Sequence, residues 1–564
     1  MVDQQFHDAV VHAALERVRE LVADSRSTEA KDVSHRQLMC DAKVLLSAVA
    51  AGELGAQERA RALESAAARI DILRSLQADS GLFTGGDNLQ SPPDSAFTIN
   101  DACDTYEFLG AYQDDESIAG LRSRLAAIIR DSSDALRRGG VHTPNHRWEI
   151  SAALARIHRS FPDSRLLQRV DEWLAEGVDV DRDGLYSERS PNYAVFVSNP
   201  SLTVLAQVLG RPDLRAVVIR NLEATLSLLR PDDTVETVQS RRQDQAAHFS
   251  LKPYLAAFRA AAVETGRADF ALAARLAASA GVRDPELLAE TLLHPALLEP
   301  LPQSSDASLA GSYFFADVSL AGRRSPSCES VLYGGSDYSA ARRIRSGLAN
   351  NPTFCRFFAG DAVLDSIRLS REFFDLGPFR ASAMRRVAEN RYELEEVVEA
   401  AYYQPLPSGS RRADGRYDLA DDGRFSASMS FPLRPHDVLT MSTKVRATLL
   451  SDGIDLEFQI DAPATAWALE FGFRDGGTVE DGVRDDDGSW VLPDGRGTYR
   501  TGDSGIAIEV EGAPTSRHPL TYQPGQDYGF LGATDAVGGV RLRVGGTTPA
   551  AFAVRIRSDR EDAR

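Results

Sequence analysis

The chain has 564 residues, 43% of them hydrophobic and 26% charged; this is too long for one ordinary core and calls for two or three domains. Its 82 acidic and 63 basic residues give a formal net charge of -19, which argues against a general nucleic-acid binder because phosphate contacts need a basic surface. An anionic sugar remains compatible, since a local arginine cluster can dominate one cleft. No run of roughly 18 apolar residues occurs, so no membrane span is expected. The start, Met-Val-Asp-Gln-Gln-Phe-His-Asp, lacks the basic and apolar regions of a secretion signal, so a cytoplasmic location is expected. Cys40, Cys103, Cys328 and Cys355 are spaced for neither a disulfide framework nor a zinc site and read as buried thiols.

From Phe6 to about His294 apolar residues recur at helical spacing: Val10, Ala13, Leu15 and Val18; Leu38, Ala42, Leu45, Leu46 and Val49; Ala60, Leu63, Ala67, Ile70 and Leu73. The same rhythm predicts helices over 97–111, 115–138, 146–160, 164–176, 199–230, 243–265, 267–280 and 285–295. Short turns such as Phe161-Pro162-Asp163-Ser164 and Gly210-Arg211-Pro212-Asp213 join them. No fixed-period repeat is visible, so a regular solenoid is not indicated. The polar connection Asp79 to Ser95 is long, and long loops are often functional. Phe83, Asp87, Asn88 and Asp94 either line a sugar cleft or belong to a solvated surface.

The stretch from His142 to Tyr193 holds the best acid/base candidates. Pro144 and Asn145 open a helix whose apolar residues are Trp148, Ile150, Ala153, Leu154 and Ile157, with Asn145 expected as the N-cap. An amide and an imidazole at a helix mouth can meet an anionic group, because the amide donates, the terminus favours negative charge and the imidazole titrates near neutrality. Trp148 and Glu149 follow directly. Tyr186 and Tyr193 return from a loop after the Asp183-Gly184 turn. Farther on, Arg241 and Arg242 are expected at the mouth of a new helix, ahead of His248. One of the two can clamp a carboxylate bidentately, since neighbours on a helix do not face the same way; otherwise they are surface ion-pair partners.

Pro300 to Ser308 reads as a linker, and from about Leu309 the period shortens to that of strands. Tyr313 to Leu320, Ser330 to Tyr333, Phe354 to Phe358, Tyr392 to Val398, Phe425 to Phe431, Val445 to Leu450, Ile454 to Ile460, Thr498 to Val510 and Val540 to Val544 all suit strands, and a large antiparallel sandwich accommodates them. The expected domains are a helical one over 1–300, a sandwich over 309–465 and a further sheet region or subdomain over 466–564. Arg342 to Pro352, with Arg345 and Asn350, is either a basic strand end reaching for an anionic ligand or a charge-protected edge strand.

Asn145 and His146 on one helix, with a tyrosine from a loop after the next helix, in a chain helical first and β-rich second, resemble the alginate lyase and heparinase II/III-like polysaccharide lyases. The resemblance implies an α+β multidomain fold, an incomplete (α/α) toroid followed by an antiparallel β-sandwich, and β-elimination on a uronic-acid-containing oligosaccharide or polysaccharide. That reaction needs the substrate carboxylate neutralised, a base near the α-carbon and an acid for the leaving oxygen. By resemblance Asn145, with Arg241 or Arg242, supplies neutralisation, and His146 and Tyr193 supply base and acid, with Tyr186 almost equally well placed. The histidine or arginine that the family draws from its sheet domain has only His436 or Arg345 to match it. Expected substrate contacts are Arg241, Trp148, Glu149, Phe83, Asp87, Asn88, His248, Arg345 and Asn350; no metal or cofactor is called for, and a homo-oligomer is left open. Two other classes compete. Toroidal folds also host glycoside hydrolases that use a carboxylate pair, for which Asp101, Asp104, Glu107, Glu149 and Glu188 are candidates, and a noncatalytic glycan-binding protein would use Phe83, Trp148 and Tyr193 only for stacking.

Overall fold

The computed structural model describes residues 2–23, 33–85, 88–112, 114–304, 308–342, 344, 347–512 and 538–560. It divides into two compact units. The first comprises Met1–Leu229 with Phe249–Ser308, the second Arg230–His248 with Leu309–Arg564.

The first unit is helical and built in two layers of hairpins. The helices His35–Ala51, Pro92–Phe108, His146–Ser160 and Asn199–Leu209 pack each on the next and form the inner layer; Ala56–Leu76, Glu116–Arg138 and Ser164–Leu174 follow the same sequence outside them. Leu287–Leu293 packs on His35–Ala51 and Pro92–Phe108. This is the expected incomplete toroid. Glu116–Arg138 shows why an outer helix forms. Asp115 caps it by accepting from the backbone N–H of Ser117 and Ile118, and Ile118, Leu121, Leu125, Ile128, Ile129 and Leu136 form one buried stripe. The inner helix His35–Ala51 is instead buried almost all round from Leu38 to Ala50. Buried polar pairs stitch the inner layer: Lys43 Nζ to Asp101 at 2.6 Å, Arg156 to Asp104 at 2.7 and 3.1 Å, and Asn100 Nδ2 to Glu149 Oε1 at 2.6 Å.

Several predicted boundaries move. The expected helix 199–230 is two helices, because Gly210 takes the left-handed conformation at φ 64° and Pro212 starts a new one. The expected helix 243–265 begins as a 3₁₀ turn, Gln243–Ala246, and becomes α-helical only at Leu255, beyond Pro253. The helix expected from 97 starts at Pro92 under a Ser91 cap, which shortens the preceding loop. No helix among the described residues is long and apolar enough to cross a membrane.

Among the described residues the second unit is a sandwich of an eight-stranded and a nine-stranded sheet. All their pairings are antiparallel except that of Trp490–Val491 with Val540–Thr547. Gly453–Asp461 alternates as expected, with Ile454, Leu456, Phe458 and Ile460 inside. Inside the sandwich Phe458 stacks on Phe552 at 4.6 Å and Phe552 on Trp467 at 4.3 Å. The expected boundary between 465 and 466 is not a division of the fold. Ala466–Phe473 lies between Ala362–Arg371 and Val540–Thr547 in one sheet, while Ala550–Arg560 lies between Gly453–Asp461 and Ser504–Glu511 in the other. Strands from both sides of residue 465 therefore share one core. Phe425 to Phe431 contributes only the two-residue strand Ser426–Ala427 and a 3₁₀ turn from Phe431.

The second unit also takes in residues 230–248 from the helical part of the sequence. Arg230 is buried there: its Nε donates to Glu236 at 3.1 Å, its Nη2 to the Tyr313 hydroxyl at 3.0 Å, and it pairs with Glu329. Arg356 reaches Glu236 at 2.6 Å and Arg324 reaches Glu329 at 3.0 Å. Buried charges are tolerated only in such mutual company.

Candidate active site

The helical unit brings the stretch from His142 to Tyr193 together on three adjoining elements: the first turn of the inner helix His146–Ser160, the loop from Val178 to Ser190, and the short helix Pro191–Tyr193. The last runs directly into a π-helical turn, Ala194–Ser198, which packs on the inner helix. Such turns insert one extra residue per turn and are frequent at functional sites.

Asn145 stands at the N-cap position as expected, but its side chain does not do the capping. Its backbone is already helical, at φ -66° and ψ -25°, and its side chain makes no capping bond. Instead Oδ1 accepts from the Thr143 hydroxyl at 2.7 Å. That fixes the amide with Nδ2, a donor, buried and without a hydrogen-bond partner among the described residues, while the residue is only 2% exposed. A buried donor left unpaired costs on the order of 1–3 kcal/mol. His146 follows, nearly buried, its ring edge-on to His142 at 4.6 Å.

The two tyrosines differ sharply. Tyr186 is 5% exposed, and its hydroxyl donates to Asn199 Oδ1 at 2.8 Å; Asn199 Nδ2 donates to Asn221 Oδ1 at 2.9 Å, and Asn221 Nδ2 to the Gly184 carbonyl at 2.9 Å. Burial, with Asp179 near, pushes the Tyr186 phenol well above its ordinary range. Tyr193 is half-buried. Its turn is set by Ser190, whose hydroxyl accepts from the Tyr193 N–H at 3.1 Å, and by the Tyr254 hydroxyl, which donates to the Pro191 carbonyl at 2.9 Å. Just before it Arg189 takes a left-handed conformation at φ 53°, unfavourable for a residue with a Cβ. The Asp183-Gly184 turn forms as expected. Gly184 has φ 94°, and a Cβ there would stand 2.5 Å from the Arg220 carbonyl.

Other candidates are placed elsewhere or differently. Phe83 and Trp148 are fully buried, Phe83 stacked on His35 at 5.0 Å, so neither offers a ring face to a sugar. Glu149 is buried too. Its Oε1 accepts from Asn100 and its Oε2 from the Ser201 hydroxyl at 3.1 Å, and burial pushes its carboxyl up to about 7. It ties the inner helix to both neighbours and is not a substrate contact. Asn88 is exposed in a bridge with Gly85, while Asp87 and Arg345 lie outside the described residues.

Arg241, Arg242, His248 and Asn350 belong to the second unit. Arg241 is matched bidentately to Asp337, at 2.7 Å from both Nε and Nη2. Arg242 precedes a 3₁₀ turn rather than a helix. His248 Nδ1 lies 3.0 Å from Arg474 Nη2. Asn350 is fully buried, its carbonyl accepting from Arg380 at 2.6 Å. Among the described residues before it there is neither a strand end nor an edge strand: Tyr338–Ala341 is one helical turn, closed by Arg342 at φ 57°. His436 begins the strand His436–Leu449 and is exposed. A cavity of about 260 Å³ in this unit is lined by His248, Arg356, Arg368 and Arg474 among others. Its arginines are each held by a carboxylate: Arg356 by Glu236, Arg368 by Glu470, Arg474 by Asp232 and Asp365.

The carboxylates proposed for a hydrolase pair are mostly committed. Asp101 holds Lys43, Asp104 holds Arg156, Glu107 holds Arg159, and Glu149 is bound as described. Asp179 joins the site without any signal in the sequence around it. Its Oδ1 accepts from Arg147 Nη2 at 3.0 Å and from Trp148 Nε1 at 3.2 Å, and its Oδ2 from the Ser187 hydroxyl. A lone acid in Val-Asp-Val-Asp carries no local signal for this.

No family model matches the sequence, and no curated protein matches it. Solved structures are similar along most of the chain. Heparinase III gives a TM-score of 0.55 at 10% identity, over 90% of this chain and 75% of that one. A heparan sulfate lyase from Pedobacter heparinus gives 0.52 at 10%, over 95% and 79%. A chondroitin AC lyase from Streptomyces coelicolor A3, in complex with chondroitin sulphate, gives 0.53 at 14%, over 99% and 80%. At these identities the likeness is one of fold: the chain shares the helical toroid and antiparallel sandwich of these polysaccharide lyases.

Proposed function

We propose that the chain is a polysaccharide lyase that cleaves a uronate-containing oligosaccharide or polysaccharide by β-elimination. One observation carries the reading. Asn145 Nδ2 is a buried N–H donor that the Thr143 hydroxyl aims and nothing described receives, beside an imidazole and on the element next to a half-buried phenol. Such a donor fits a substrate carboxylate whose negative charge spreads as the neighbouring carbon loses its proton. In the reaction His146 and Tyr193 divide the proton traffic. One takes the proton α to the carboxylate, a double bond forms to the adjacent carbon, the glycosidic C–O bond breaks, and the other returns a proton to the leaving oxygen. The fold shared with lyases acting on heparan sulfate and chondroitin supports the same chemistry, as an analogy of fold.

The test is product analysis on a panel of heparan sulfate, chondroitin sulfate and alginate oligosaccharides. Elimination gives an ultraviolet-absorbing unsaturated uronate whose mass lacks the water that hydrolysis adds. Saturated products would establish a hydrolase instead, and binding without any product would establish a glycan-binding protein.

A further inference from the structure

We propose that Asp179 is a positioning residue for the acid/base pair: its carboxylate fastens the first turn of the helix carrying Asn145 and His146 to the base of the loop that ends at Tyr193. The inference rests on the lyase reading for what is positioned, and on geometry for how.

Each oxygen of Asp179 serves a different element. Oδ1 receives Arg147 Nη2 at 3.0 Å and Trp148 Nε1 at 3.2 Å, the two residues directly after His146. Oδ2 receives the Ser187 hydroxyl, and the Asp179 carbonyl receives the Ser187 N–H at 2.9 Å. The loop between closes on itself: Val180 bridges Tyr186, and Asp181 Oδ1 accepts from the N–H of Asp183 and of Leu185. A displacement of Ser187 is therefore passed on to the turn at Arg189 and Ser190 that sets Tyr193. Arg147 is held from its other side by Glu176 at 2.9 Å and lies over the Trp148 ring at 4.6 Å, so the helix end of the clamp is rigid as well. Charge-assisted bonds such as that from Arg147 are the stronger kind. Reacting groups misplaced by about 1 Å lose on the order of 100-fold in rate.

Asp179→Ala removes both halves of the clamp. Asp179→Asn keeps one carbonyl oxygen for Arg147 and Trp148 and offers its NH2 to the Ser187 oxygen, so it preserves the geometry with a weaker hold. On whichever panel oligosaccharide the wild type cleaves, Asp179→Ala should lower kcat about 100-fold with KM changed less than about twofold, and Asp179→Asn should recover most of the loss. Hydrogen–deuterium exchange of the intact chain supplies a readout independent of turnover: Asp179→Ala should raise exchange in peptides spanning 143–150 and 178–193, and Asp179→Asn much less. Unchanged exchange in Asp179→Ala overturns the clamp, whatever the activity. Raised exchange with wild-type kcat overturns positioning. A wild type that eliminates none of the panel while its exchange shows the clamp intact sinks the lyase reading, and the positioning role with it.

Discussion

Asn145 carries the cost of a buried unpaired donor, a cost that the proposed substrate carboxylate would offset. Because its Nδ2 is already unpaired in the folded chain, Asn145→Ala should leave the melting temperature close to wild type while kcat/KM falls by about 100- to 1,000-fold, the loss seen when one preorganised oxyanion donor is removed. An equal loss of both would make the amide structural. The two tyrosines should part on these same two readouts. Tyr193→Phe keeps the ring and should abolish turnover with little change in stability. Tyr186→Phe leaves the buried Asn199 oxygen without its donor and should cost on the order of 1–3 kcal/mol while turnover persists. Tyr186→Phe with wild-type stability and no activity would exchange the two roles.

Among the elements, the inner helix His146–Ser160 is tied to both neighbours through Glu149, whose carboxyl changes charge within the accessible pH range. Glu149 sits between Asn100, Ser201, Arg156 and Asp101, and burial first of all raises its carboxyl from an ordinary 4.5 to about 7. The unfolded chain therefore releases this proton near 4.5, whereas the folded chain keeps it to about 7. Between those values the unfolded state binds fewer protons, so stability falls as pH rises, by on the order of 3 kcal/mol once pH exceeds the folded value. Glu149→Gln keeps an acceptor for Asn100 without a titrating proton. Thermal melts at pH 5 and pH 8 should show a smaller drop in Glu149→Gln than in wild type; an equal drop would mean that Glu149 titrates normally.

At the scale of the whole molecule, sequence order and structural membership part company at residue 230. The sandwich needs Arg230 and Glu236 from the helical part of the sequence to satisfy Glu329 and Arg356. Residues 309–564 alone would keep Glu329 in the interior with one cation fewer, a loss of about 3–5 kcal/mol by the cost of breaking a buried pair. That fragment should show no cooperative thermal transition, and a single chain placing 230–248 ahead of 309 through a flexible linker should recover one. A cooperative transition in the shorter fragment would show the segment to be dispensable.

Periodicity is a local signal, and it determined the order of helices then strands, the turn at Gly184, the inner helix from His146 and the alternation in Gly453–Asp461, because each depends on residues within one or two turns of one another. The resemblance built on Asn145, His146 and Tyr193 pointed to the toroid and sandwich for the same reason, being short in sequence. Contacts decided the remainder. Nothing in the composition of Phe83 or Trp148 distinguishes a stacking platform from a core ring, and Tyr186 parts from Tyr193 through its burial and its bond to Asn199, thirteen residues on. Strands on either side of residue 465 became one sandwich by pairing across the chain, as Gly453–Asp461 does with Ala550–Arg560. Asp179 acquired its partners when a loop folded back 31 and 32 residues onto a helix end, a closure whose reward lies in the assembled contacts and in no single stretch of the sequence.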